Sequence, residues 1–248
     1  MLVLRRFFLS DFSAGQRYAL SKGESYHIRK VLRYKKGNIL TVFDGKGFEG
    51  KAEIVSIDDC TVEVQILEKR EVLRELPLDI HLYLGLCKEK AWTLALKSCI
   101  ELGVSRITPV ICKRSLFGEK EKGRKKLQRW RKIAIESSKQ CGANYLSQIE
   151  NFLLLSEIEK EEELLLLGSP TGQSISKSAE SIVRANSVGI IIGPEGGLED
   201  MEEEMLVQKG AQPCSLGKHV LRVETAAIAL VSAVIAIYEM ERGKKKGE

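Results

Sequence analysis

Two short stretches carry residues whose types and spacing suit chemistry. The first, Gly193-Pro194-Glu195-Gly196-Gly197, sets a carboxylate in a turn whose glycines let main chain approach a flat ligand and donate backbone hydrogen bonds to it. The second, Leu216-Gly217-Lys218-His219-Val220-Leu221-Arg222-Val223-Glu224-Thr225-Ala226, puts apolar Val220 and Leu221 beside Arg222 and Glu224. Apolar side chains with backbone polar groups close by suit an adenine ring, and a fixed guanidinium suits a developing anion. Plainer uses exist for both, since glycine and proline permit a structural turn anywhere and Glu224 or Thr225 can simply start a helix. A Pro-Glu pair between glycines is uncommon as mere punctuation, which favours a ligand. Other chemistries lack their parts. GxxxxGK[ST] is absent and GxGxxG is not formed at Gly193 to Gly197, so an NAD or ATP enzyme is poorly supported. His219 beside Lys218 has no Ser or Cys nucleophile with an evident partner, and structural hydrogen bonding is its better reading. With His27, His81 and His219 far apart, no HExxH and no CxxC among the cysteines, neither a metal centre nor a disulfide framework is expected.

The elements that must position these loops follow from periodicity. Lys36 to Leu67 reads as short strands and turns: Ile39 to Phe43, a turn at Asp44-Gly45-Lys46-Gly47, Ala52 to Ile57, then Thr61 to Leu67, which together predict a small β-barrel or meander. Glu68 to Pro77 is charged and ends in proline, a linker signal, so the chain divides into a domain over 1–70, a linker over 71–77 and a domain over 78–248. Beyond it strands and helices alternate. Leu78 to Leu86 is a strand, Ala91 to Leu102 a helix stopping at Gly103, Ser105 to Cys112 a strand and Lys125 to Cys141 a basic helix. Leu164 to Leu167 and Ser187 to Ile192 are buried strands, Glu199 to Lys209 a helix, a short strand lies near Cys214, and Glu224 to Glu241 forms the last helix. Wholly apolar strands alternating with helices predict an α/β fold with a mostly parallel sheet covered on both faces, where ligands bind past the carboxyl ends of the strands. Both glycine-bearing stretches follow such strands.

Charge is segregated rather than mixed. Lys113 to Lys132 holds ten Lys or Arg against two Glu, and the first 36 residues hold nine against Asp11 and Glu24, while acid collects in Glu157 to Glu163 and Glu199 to Glu204. Any one such run is usually a solvated helix face, but two basic blocks plus Lys244 to Lys246 favour a polyanion such as nucleic acid. The 44% apolar content excludes a disordered chain. The run Ala226 to Tyr238 falls short of the roughly 20 residues of a membrane span and reads as a core helix. Met1 to Phe8 lacks a signal-peptide core, which places the protein in the cytoplasm, without a membrane.

These residues resemble a known family. Ile192 to Leu198 together with Leu216 to Ala226 is similar to the paired signature of the ribosomal RNA small-subunit methyltransferase E family, of the SPOUT superfamily. Arg5-Arg6-Phe7-Phe8, His27-Ile28-Arg29-Lys30-Val31-Leu32-Arg33, Lys97 with Glu101 to Val104, Arg114-Ser115, Arg129-Trp130 and Glu136 to Gln140 fall in the family's order. The resemblance implies a PUA-like β-barrel followed by a SPOUT α/β domain with a trefoil knot, a homodimer, and transfer of a methyl group from S-adenosylmethionine to N3 of a uridine in the decoding region of 16S ribosomal RNA, free or in the small subunit. It implies donor contacts at Leu167, Gly168, Gly193, Glu195, Gly196, Leu216, Gly217, Val220 and Leu221. Arg222, Glu195 and Glu224 take the catalytic roles, and Arg5, Arg6, His27, Arg29, Lys30, Arg33, Arg114, Arg124, Lys125 and Arg129 the RNA contacts. Ala143 and Ser147 stand where the family usually carries Arg and Pro. Two other readings share these residues: an RNA-binding ribosome-assembly protein that keeps the fold without efficient catalysis, and a SPOUT enzyme methylating transfer RNA ribose.

Overall fold

The computed structural model describes residues 5–115 and 120–245. Residues 1–4, 116–119 and 246–248, including Lys246 of the basic tail, lie outside the described residues, as do the side chains of Lys120, Lys122, Lys244 and Lys245. The chain divides into two compact units, Met1–Glu75 with Ile135–Leu146, and Leu76–Ala134 with Ser147–Glu248.

The first unit is a small mixed sheet. Strands β1 (Arg6–Phe8), β2 (Arg17–Ala19), β3 (Ile39–Phe43), β4 (Phe48–Ile57) and β5 (Val62–Glu71) lie in the order β1-β3-β4-β5-β2, with β1 parallel to β3 and the other pairs antiparallel. The expected barrel is thus a five-stranded sheet with β1 and β2 at its edges. β5 runs on to Glu71, so ladder hydrogen bonds extend through the charged residues that read as the approach to a linker. Helix α1 (Lys22–Tyr26) starts at Ser21, whose hydroxyl accepts from the Glu24 N–H, and passes into a π-helical turn, His27–Leu32, closed by Arg33 at φ 54°. Periodicity gives no sign of either. The core contains Phe7, Ile28, Val42, Ile54, Val62 and Val64.

The second unit is built on a seven-stranded parallel sheet: β6 (Asp79–Gly85), β7 (Arg106–Ile111), β8 (Gln148–Ile149), β9 (Leu153–Leu154), β10 (Leu164–Ser174), β11 (Ser187–Ile192) and β12 (Ala211–Ser215). The order is β12-β10-β11-β6-β7-β8, with β9 also on β7. Its helices are α2 (Glu89–Glu101), the start of α3 (Lys120–Cys141), α4 (Ala179–Arg184), α5 (Asp200–Gln208) and α6 (Val223–Lys245). Strand side chains alternate between two cores. Ile80, Leu82, Leu84, Leu166 and Ile190 pack with Trp92, Leu96, Leu230 and Val234 on one face, while Tyr83, Val110, Leu165, Leu167, Ile191 and Leu206 form the other. Trp92 and Trp130 stack with ring centroids 3.6 Å apart.

α6 carries a longer apolar stretch than the run read from the sequence. Val223–Met240 is long and apolar enough to cross a membrane by length and composition, with a mean hydropathy of 1.7. In this fold Ala227, Leu230, Val231, Val234 and Tyr238 are buried in the core of the second unit.

Candidate active site

All strands of the second sheet run the same way, so the segments leaving their carboxyl ends emerge together. Those after β6, β11 and β12, with the middle of β10, enclose a cavity of about 720 Å³. Gly168, Gly193, Glu195, Leu216, Gly217, Val220, Leu221, Arg222 and Glu224 all line it. The two loops singled out by composition therefore face one space, although α5 and β12 separate them in sequence.

The first loop is a tight turn. The Gly197 N–H donates to the Pro194 carbonyl at 2.9 Å, and Gly197 sits at φ +70°, a conformation that side chains with a Cβ rarely adopt. The second loop ends at α6, where the Arg222 carbonyl accepts the first helical hydrogen bond from the Ala226 N–H at 2.7 Å. Arg222 is thereby the residue that opens the helix, with its side chain exposed at the cavity, and Glu224 lies in the first turn, where a carboxylate meets the positive end of the helix dipole. Val220 is 81% exposed and Leu221 38%, an unusual outlay of apolar surface for side chains that line a cavity. Burial first, then the carboxylates of Glu195 and Glu224, push the Cys87 thiol up to about 12, which places both carboxylates within electrostatic reach of one atom and leaves that thiol no nucleophile.

Of the residues expected to contact the donor, Leu167 and Gly196 are not among those that line the cavity. The Leu167 side chain is fully buried in the core on the far face of the sheet, because strand alternation turns it away from the cavity that Gly168 lines. Gly196 faces the aliphatic stem of Arg114 instead, where an added Cβ would lie 3.2 Å from the Arg114 Cβ. Cavity residues that composition did not signal are Lys88 and Lys90 after β6, Ser169 and Pro170 within β10, and Glu203 on α5, which accepts a hydrogen bond from the Ser169 hydroxyl at 3.2 Å.

The expected RNA contacts divide likewise. Lys30 and Arg33 in the first unit and Arg124 and Lys125 in the second are exposed. Arg5 reaches the Tyr34 hydroxyl at 3.2 Å, Arg29 is held by Asp59, His27 is half-buried beside Phe7, and Arg129 pairs with Glu89 at 3.2 Å. Arg6 is a correction. It is 3% exposed and its guanidinium binds Asn144 Oδ1 and the Ala143 carbonyl, stands 3.8 Å from Glu49 and lies over the Phe43 ring, so it is a core cation of the first unit. Among the described residues no group of three or more His, Cys, Asp or Glu could hold a metal ion.

Family models match over most of the chain: an RNA methyltransferase domain over residues 74–235 and an RNA methyltransferase PUA domain over residues 20–67. The ribosomal RNA small subunit methyltransferase E of Buchnera aphidicola is 35% identical, over 87% of this chain and 89% of that one. The chain belongs to the ribosomal RNA small subunit methyltransferase E family. The Bacillus subtilis member of this family is 29% identical over 91% of this chain and 92% of its own. A methyltransferase from Legionella pneumophila, crystallised with bound S-adenosylmethionine, superposes at a TM-score of 0.89 with 34% identity, covering 95% of this chain and 98% of that one. The Neisseria gonorrhoeae member of this methyltransferase E family, bound to S-adenosylmethionine, gives 0.84 with 28% identity and covers 95% of this chain and 98% of its own. The PUA-like sheet followed by a parallel-sheet SPOUT-type domain is the fold expected of this family.

Proposed function

We propose that this chain transfers the methyl group of S-adenosylmethionine to N3 of one uridine in the decoding region of 16S ribosomal RNA. The observation that carries the reading is the convergence of both glycine-bearing loops, Arg222 and two carboxylates on one cavity. The residues fit the donor. Leu216, Val220 and Leu221 offer exposed apolar surface for an adenine, loop main chain at Gly193 and Gly217 offers hydrogen-bonding groups to its edge, and Glu195, Glu203 and Glu224, in a lining that also holds Lys88, Lys90 and Arg222, offer carboxylates to a sulfonium. When bound, the donor supplies an electrophilic methyl group on a sulfonium.

The chain's part is to prepare N3. The imide N3–H is only weakly acidic, so attack requires that its proton leave and that the anion be held. Arg222 holds the developing charge, since a nearby cation favours the ionised form. A carboxylate oxygen of Glu224 or Glu195 accepts the proton, with the other keeping Arg222 in place. The remaining acceleration comes from aligning N3 with the methyl carbon, and the base must leave its stack to reach the cavity. Gripping the RNA falls to the exposed basic residues, Lys30 and Arg33 in one unit and Arg124 and Lys125 in the other. The trefoil knot, the homodimer and a cytoplasmic site of action belong to the same reading. Only a third of the Val223–Met240 stretch is buried, which supports a second copy packing on α6.

Substitution Arg222→Ala is expected to lower methyl transfer by about a hundredfold or more, as loss of one charge-stabilising donor does, while calorimetry shows donor affinity within about threefold of wild type. Normal turnover in that variant removes Arg222 from the mechanism. Nucleoside mass spectrometry of 16S ribosomal RNA from cells with and without the gene should show one N3-methyluridine disappearing. Loss of a ribose-methylated nucleoside from transfer RNA instead would overturn the substrate assignment.

A further inference from the structure

Arg114 reads from the sequence as an RNA contact, yet its half-exposed side chain has Nη1 and Nε turned to its own fold. Nη1 donates to the Gly196 carbonyl at 3.0 Å and reaches the Leu198 carbonyl at 3.5 Å, while Nε lies 3.7 Å from Glu199 Oε1. Both carbonyls belong to a turn outside the ladder of any strand, so a donor from another segment is what satisfies them. The stem packs as closely, within 3.2 Å of where a Cβ on Gly196 would stand.

The segment around Arg114 is itself fixed. The Cys112 N–H donates to the Ser115 hydroxyl at 2.9 Å and the Ser115 N–H to the Cys112 carbonyl at 3.0 Å, a closed turn at the end of β7. Next to it, Lys113 Nζ binds Glu199 Oε2 at 2.7 Å and the Lys113 N–H donates to Glu202 Oε1 at 2.8 Å. Glu202 also accepts from the Glu199 N–H at 2.9 Å, the capping box that opens α5. Residues 112–115 thus fasten both the Gly193–Leu198 turn and the helix after it.

We infer that Arg114 is a positioning residue for the donor side of the cavity, holding the Gly193–Leu198 turn in the shape that receives the sulfonium ligand, and that it makes no RNA phosphate contact. The inference rests on the donor assignment proposed above and adds the residue that sets donor affinity through the turn. A guanidinium suits the task because its planar fork spans two carbonyls and a carboxylate, which an ammonium on a flexible stem does not.

The two roles separate in a binding experiment on the full chain. Donor affinity is measured by calorimetry with S-adenosylmethionine, and binding of purified 16S ribosomal RNA by filter retention at several salt concentrations, for wild type, Arg114→Ala, Arg114→Lys and Gly196→Ala. The expected result is a donor Kd raised about tenfold in Arg114→Ala, the loss of a charge-assisted hydrogen bond, with little recovery in Arg114→Lys. The slope of log K for RNA against log salt stays at the wild-type value in both. Gly196→Ala keeps the guanidinium charge, presses a methyl on the Arg114 stem, and is expected to weaken donor binding with the same unchanged slope. It decides the matter if Arg114→Ala unfolds. An unaltered donor Kd in the Arg114 variants and Gly196→Ala overturns the inference, as does an RNA slope shallower by about 0.7–0.9, the signature of one lost phosphate contact. Wild-type protein that fails to bind the donor at all instead overturns the donor assignment beneath it.

Discussion

Gly85 ends β6 directly under the Gly193–Leu198 turn, and its missing side chain sets how closely the two backbones approach. An added Cβ would stand 2.6 Å from the Pro194 nitrogen and 2.7 Å from the Gly193 carbonyl carbon, falling 0.8 and 0.7 Å short of the 3.4 Å at which ordinary contact begins. Both neighbours are main chain, so no rotamer change relieves the clash, and the turn must retreat by most of an ångström. Overpacking of this kind costs about 1–3 kcal/mol, and because the turn yields more readily than the buried strand, most of it should appear as lost donor affinity. At about 1.4 kcal/mol per tenfold, Gly85→Ala is expected to raise the donor Kd by about five- to a hundredfold. Calorimetry with S-adenosylmethionine, beside a thermal melt to confirm folding, measures it. A folded Gly85→Ala protein that binds the donor as tightly as wild type would refute the claim that Gly193 and Pro194 form the donor site.

The buried cluster around Glu162 has a pH signature. Burial pushes its carboxyl up, but the hydrogen bond and charge of His81 at 2.7 Å, its own backbone N–H and the Arg106 guanidinium together hold it below the ordinary carboxylate range. A lowered carboxylate contributes stability that is complete above its unfolded pKa of about 4.3 and is lost as pH falls through the lower folded value. Wild type should therefore lose stability more steeply than Glu162→Gln below about pH 4.3, and parallel acid titrations followed by circular dichroism would count against the network. Arg6→Ala removes the partner of Asn144 Oδ1 and the Ala143 carbonyl from a core that still holds Glu49, and should destabilise the first unit by about 3 kcal/mol in urea. A change within about 0.5 kcal/mol, the range typical of surface sites, would return Arg6 to the RNA-facing set. Trp130→Ala deletes the ring stacked on Trp92 and the indole N–H donated to Glu89 at 3.2 Å, for an expected loss of about 3–5 kcal/mol by the same assay; a loss below about 1 kcal/mol would mean the stack contributes little.

What could be read from sequence depended on whether the signal was local. Ile39–Phe43 and Ser187–Ile192 form strands over the residues expected, since each is an apolar run bounded by turn residues. β10 is visible only as Leu164 to Leu167. Its continuation through Gly168 to Ser174 is polar and glycine-bearing, and its later pairing is with β12, across a register shift between Gly168 and Gln173. Pairing between distant strands leaves no period in the sequence, so nothing marks Ser169 as a cavity residue. The loops around Gly193 and Leu216 are legible because glycine spacing and mixed apolar and charged residues are local. Lys88, Lys90 and Glu203 are not, because only the strand order brings them there. Arg6 and Lys139 show the limit of charge patterning. Arg6 sits in the first basic block and Lys139 in the basic helix Lys125 to Cys141, and each is buried by a partner more than 40 residues away, Arg6 by Asn144 and Glu49, Lys139 by both Glu24 oxygens at 2.9 Å. The basic helix is expected to end near Cys141, and it does, but its residues from Ile135 onward belong to the first unit.

The central claim is that the segments beginning at Gly193 and Leu216 form one donor pocket opening on Arg222. A crystal of this protein soaked with S-adenosylmethionine tests it directly. The expected density places the adenosine against Leu216, Val220 and Leu221 and the sulfonium methyl toward Arg222. An empty cavity at saturating donor, or a donor seated elsewhere on the chain, contradicts it.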